Sequence, residues 1–124
     1  MIVIESINHV CLTVANLDRS IQFYTDLFDF EVVEKIDNSQ EAFIRIGDIL
    51  IGLYEDEEFT GQRSNKKCIS FYIDEEDFED ALEELKDNDI PIVYGPENIR
   101  NGKTLIFMDP DGNHIELSYP KIYS

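Results

Sequence analysis

Residues Ile7-Asn8-His9-Val10-Cys11-Leu12-Thr13-Val14 alternate apolar and polar side chains with the period of two that marks a half-buried strand. Val10, Leu12 and Val14 fall on one face, and His9, Cys11 and Thr13 on the other. Asn16 or Asp18 then caps a helix running to about Phe28, with Leu17, Ile21, Tyr24 and Phe28 on one stripe. Three strand-like runs follow at 30–35, 41–46 and 48–54. Asn38-Ser39 and Gly47-Asp48 supply the turn chemistry between them.

The second half repeats this order. Residues 67–73 alternate as the first strand does, with Ile69, Phe71 and Ile73 on the apolar side and Cys68, Ser70 and Tyr72 on the polar side. Asp74 caps a helix whose Phe78, Ala81, Leu82 and Leu85 fall at i, i+3, i+4 and i+7. Strand-like runs follow at 90–94, 104–108 and 113–119. His9 aligns with Cys68, Val14 with Ile73 and Asp18 with Asp77, all at one offset of 59 residues. The pattern predicts an α+β protein of two βαβββ modules in tandem. Module 1 covers about 1–55, an exposed connection 56–66, and module 2 67–124. One helix per module covers one sheet face and leaves the other open. That face carries His9, Cys11 and Thr13, then Cys68, Ser70 and Tyr72, and on the last strand His114, Glu116 and Ser118. Polar groups on a concave face build a small-molecule pocket.

A chain of 124 residues, 43% apolar and 30% charged, makes one ordinary globular domain. No apolar run reaches the length of a membrane span, and 46–53 is only strand-sized. The first five residues lack a basic n-region and a small-residue cleavage pattern, which predicts a cytoplasmic protein without a signal peptide. Two cysteines make no disulfide framework. The 27 acidic against 10 basic residues give a net charge of −17, a field that repels nucleic acid and anionic membranes.

The runs 8–14, Asp18-Arg19-Ser20-Ile21-Gln22-Phe23-Tyr24 and Asp109-Pro110-Asp111-Gly112-Asn113-His114-Ile115-Glu116-Leu117 resemble the vicinal-oxygen-chelate superfamily. That group contains glyoxalases, bleomycin-resistance proteins, extradiol dioxygenases and fosfomycin-resistance enzymes. The resemblance spans essentially the whole chain. It implies an open cup-shaped mixed sheet, a homodimer, no organic cofactor, and a divalent metal: zinc, nickel, iron or manganese. In the glyoxalase pattern the ligands His, Glu, His and Glu sit on the first and last strands of each module. They fall here on His9, Gly52, Cys68 and Glu116, so the second is absent and the third is a thiol. The resemblance further implies that His9 and Glu116 approach a common point.

Three ligand sets stay open. His9, Cys68 and Glu116 make an N, S, O set that suits zinc. His9, His114 and Glu116 make a two-histidine, one-carboxylate set. His9 and Glu116 with waters make a weak site for a hard ion. Cys11, Thr13, Arg45, Ser70 and Tyr72 are candidate pocket residues, Arg45 for an anionic substrate. Residues 98–103 read as a mobile rim bearing Arg100 and Lys103, and 109–113 as a turn whose acidic residues are structural. The resemblance implies a metal-dependent lyase or isomerase acting on a small molecule with neighbouring oxygens. The metal would stabilise an enediolate, and Glu116 would move the proton. The rival class is a metal-free small-molecule binding protein of the bleomycin-resistance type. Dioxygenase and fosfomycin thiol transferase are further alternatives.

Overall fold

A computed structural model of the chain describes residues 1–36, 40–61 and 67–122. The expected Asn38-Ser39 turn and the 62–66 part of the connection lie outside the described residues. The chain divides into two compact units, Met1–Thr60 and Gly61–Ser124.

The first module runs β1 (Val10–Val14), α1 (Leu17–Phe28), β2 (Glu31–Ile36), β3 (Glu41–Ile46) and β4 (Ile49–Glu55). The second runs β5 (Cys68–Tyr72), α2 (Glu75–Asp87), β6 (Ile92–Ile99), β7 (Gly102–Met108) and β8 (His114–Tyr119). The sheets have matching orders, β1-β4-β3-β2 and β5-β8-β7-β6. In each, the first and last strands are parallel and the remaining pairs antiparallel. This is the tandem βαβββ, α+β architecture that the alternation predicts.

In module 1 the side chains of Leu12, Val14, Ala42, Ile44, Ile51 and Leu53 are buried on one sheet face, together with Leu17 and Tyr24 of α1. The opposite face carries Cys11 and Thr13 of β1, Glu41, Phe43 and Arg45 of β3, and Gly52 and Tyr54 of β4, by their cross-strand register. Burying one such aliphatic side chain contributes about 1.5–3 kcal/mol, which locks strand register to the hydrophobic pattern. In module 2, Leu105, Phe107, Ile115 and Leu117 meet Phe78, Leu82 and Leu85 on the helix face, all buried. The Phe78 and Tyr119 rings pack edge to face, centroids 5.5 Å apart. Because α2 takes the face of Ile115, Leu117 and Tyr119, Glu116 is left to the other.

Two elements depart from the sequence pattern. β6 continues beyond residue 94 to Ile99, through Gly95-Pro96. It is an outer strand of its sheet, with register shifts at Ile92/Tyr94 and Tyr94/Glu97, and an outer strand tolerates a residue without an N–H. The expected rim at 98–103 therefore forms strand ends and a tight turn, with Arg100 and Asn101 at φ of 49° and 62°. Among the described residues no helix is long and apolar enough to cross a membrane.

Candidate functional site

His9 stands immediately before β1, half-buried. Its Nδ1 lies 2.7 Å from Asn8 Oδ1, and its Nε2 3.2 Å from the Tyr54 hydroxyl. A carboxamide oxygen only accepts, so Nδ1 carries the proton and Nε2 presents its lone pair. A histidine whose second nitrogen is tied in this way is oriented as metal-ligating histidines are. The ring of Phe43 meets the imidazole edge to face at 5.3 Å.

Gly52, the position of the absent second ligand, lies under the ring of Tyr54. A Cβ there would stand 2.8 Å from Tyr54 Cε2. The Tyr54 phenol is held above the ordinary tyrosine value, first by desolvation, then by the Cys11 thiol to which it hydrogen-bonds, and then by Glu41. Cys11 itself is an exposed free thiol and Thr13 is half-buried. Arg45 pairs with Glu31 on the neighbouring strand β2, both side chains largely exposed.

In module 2, Cys68, Ser70 and Tyr72 of β5 register against His114, Glu116 and Ser118 of β8. The Cys68 thiol is raised above the ordinary cysteine value by burial first and by the charge of Glu116 second. Glu116 Oε2 accepts a 2.7 Å hydrogen bond from Thr104 Oγ1 on β7, and Thr104 is buried. His114 is also buried. Ser70 Oγ lies 3.4 Å from Ser118 Oγ. Tyr72 is exposed; its hydroxyl donates to Asp74 Oδ1 at 2.6 Å, and Lys121 Nζ lies 4.9 Å above its ring. Lys103 turns to the helix side, 3.3 Å from Glu79, and lines with Glu75, Arg100 and Tyr119 a hollow of about 480 Å³ on the face away from Glu116.

The Asp109–Asn113 turn is structural, as its composition suggests. Asp109 Oδ1 accepts from the backbone N–H of Asp111 and Asn113, and Oδ2 from Asn113 Nδ2, so the carboxylate organises the turn that launches β8. Within neither module do three His, Cys, Asp or Glu side chains gather into a metal cage, among the described residues. Sequence reasoning missed Asn8, Tyr54 and Thr104. Tyr54 was legible in principle, two residues beyond Gly52 on the same face; Thr104 emerges only from cross-strand register.

The donor chemistry fits a divalent ion. His9 of module 1 offers an imidazole nitrogen in the ligating tautomer, and within module 2 Cys68 and Glu116 offer sulfur and oxygen from one sheet face.

The family described as the Glyoxalase/Bleomycin resistance protein/Dioxygenase superfamily matches residues 6–117. The chain is 36% identical over 117 residues to the metallothiol transferase FosB of Staphylococcus epidermidis, covering 92% of this chain and 81% of that protein. The fosfomycin resistance protein FosX of Mesorhizobium loti superposes with a TM-score of 0.79 at 28% identity, over 97% of this chain and 96% of that one. FosX of Listeria monocytogenes, in a complex with Mn(II) and a sulfate ion, superposes with a TM-score of 0.84 at 22% identity, over 97% and 94%, a likeness of fold.

Proposed function

The chain belongs to the Glyoxalase/Bleomycin resistance protein/Dioxygenase superfamily, and from that premise we propose that it is a divalent-metal enzyme transferring a thiol to a small oxygen-bearing electrophile. The observation that carries this reading is Glu116, held by Thr104 on the sheet face that also carries Cys68 in module 2; in module 1, His9 has its Nδ1 tied to Asn8. A carboxylate disfavours a thiolate in its field, and a bound divalent cation would reverse that preference. His9, Cys68 and Glu116 are the proposed donors, and His9 with Glu116 alone is the weaker set. The likeness to a metallothiol transferase supports thiol transfer over the lyase or isomerase reading, which would use the same donors.

A bound ion supplies a Lewis acid for the substrate's oxygens. The protein's own groups orient and protonate. Thr104 fixes the plane of Glu116 through Oε2. Arg45 makes an exposed ion pair with Glu31, which an anionic substrate exchanges at little cost. In the transfer, a C–S bond forms at the electrophilic carbon, a C–O bond breaks, and the departing oxygen takes a proton.

The test is incubation with fosfomycin and glutathione or cysteine, in the presence of Mn(II), Ni(II) or Zn(II), followed by mass spectrometry. A thiol adduct is expected, abolished by EDTA and reduced at least about tenfold in Glu116→Gln. Turnover of the glutathione–methylglyoxal adduct without thiol consumption would move the assignment to the lyase reading. A metal-free binding protein is the second reading, favoured by the thiol at Cys68 and the bare backbone at Gly52. Protein purified without added metal, and binding no metal on titration, would support it.

A further inference from the structure

Gly52 and Tyr54 are i and i+2 on β4, so the Tyr54 ring folds along its own strand over the glycine. A Cβ at residue 52 would also meet the Tyr54 hydroxyl at 3.0 Å, so a second ligand there would have to move the Tyr54 ring aside. From there the hydroxyl reaches His9 Nε2 at 3.2 Å. Phe43, the cross-strand partner of Gly52 on β3, closes the group, its ring 5.3 Å from the imidazole and 6.4 Å from the Tyr54 ring. His9 is thus held at Nδ1 by Asn8, at Nε2 by Tyr54 and at its ring by Phe43.

The proton positions follow from this arrangement. Nδ1 donates to Asn8 Oδ1, so Nε2 faces the Tyr54 hydroxyl with its lone pair, and that hydroxyl shares its one proton between His9 Nε2 and the Cys11 thiol. The lone pair that receives the phenolic proton is the one a metal ion takes. We propose that Tyr54 stands in for the absent second ligand as a positioning residue: it holds His9 in its ligating tautomer and occupies the ligating lone pair, so that an entering ion must displace its hydroxyl. The inference rests on the reading of His9 as a ligand. It adds that the resting site is closed by a hydrogen bond, and that affinity for metal is set partly by a residue that is not itself a ligand.

Tyr54→Phe keeps the ring over Gly52 and removes only the hydroxyl. The chain has two histidines, so long-range ¹H–¹⁵N spectra of the metal-free protein read His9 directly, with His9→Asn giving the assignment. The expected result is a displaced His9 Nε2 resonance in Tyr54→Phe, with Nδ1 still protonated. Zn(II) affinity, measured by chelator competition, should rise by about two- to tenfold, the range that release of one neutral hydrogen bond allows. Equal or weaker Zn(II) binding by Tyr54→Phe, or an unmoved Nε2 resonance, overturns the inference and leaves His9 as a ligand. Absence of Zn(II) binding by both proteins overturns the metal reading and the inference together.

Discussion

Glu116 lies in β8 between Ile115 and Leu117, both buried on the helix side, and its carboxylate is held from β7 by the Thr104 hydroxyl. A strand residue so placed has its direction set twice, by alternation and by a fixed hydrogen-bond donor. Its neighbour Cys68 feels the charge, and that influence is measurable without any metal. In metal-free protein at neutral pH, Cys68 should react with iodoacetamide more slowly than the exposed Cys11, as peptide mapping after timed labelling will show. Glu116→Gln removes the second cause of the raised value and should speed labelling of Cys68 severalfold, leaving Cys11 unchanged. The folded thiol binds its proton more tightly than the unfolded one. Its contribution to stability is therefore complete below the unfolded value and is lost as pH rises through the folded one.

The two helices start in different ways although both follow a capping residue. Asn16 Oδ1 accepts from the Arg19 backbone N–H at 3.0 Å, and Glu55 Oε2 accepts from Leu17 N–H at 2.8 Å. Asp74 occupies the corresponding position before α2 but makes no side-chain cap; its carboxylate takes the Tyr72 hydroxyl instead. Asn16→Ala should therefore cost about 1 kcal/mol in urea unfolding, and Asp74→Ala less than half of that. Equal losses would mean that Asp74 caps in solution. The β6–β7 hairpin shows the same dependence on context. Arg100-Asn101-Gly102 has the residues of a tight turn, yet Gly95-Pro96 upstream interrupts the strand pattern, and the position of β6 at the sheet's edge removes the penalty.

At the scale of the whole molecule, charge and apolar exposure pull against each other. The chain carries a net charge of −17, yet Ile2, Val3, Ile4 and Ile7 ahead of β1, and Val32 and Val33 on β2, are exposed. Exposed apolar side chains favour association, and on so acidic a chain charge repulsion opposes it. A homodimer at micromolar concentration is the expected outcome by sedimentation. Its association should strengthen as salt rises from about 10 to 150 mM, because the Debye length falls from roughly 30 to 8 Å. A monomer at every salt concentration would count against it.

Alternation by itself determined the two modules, the face on which each polar side chain of β1, β5 and β8 lies, and the helices that cover the other face. Those follow from periods of 2 and 3.6 residues, which are properties of the chain alone. The repeat likewise set His9 against Cys68 at an offset of 59, and Ile51-Gly52-Leu53 against Ile115-Glu116-Leu117. Only the tertiary structure decided which groups touch. Tyr54 lies over Gly52 and reaches His9, Thr104 holds Glu116, Arg45 meets Glu31, and Lys103 turns to Glu79. The period of a strand assigns a side chain to a face but not to a lateral neighbour. That neighbour depends on the register between strands, which turns and bulges such as those in β2 and β6 shift by a residue at a time.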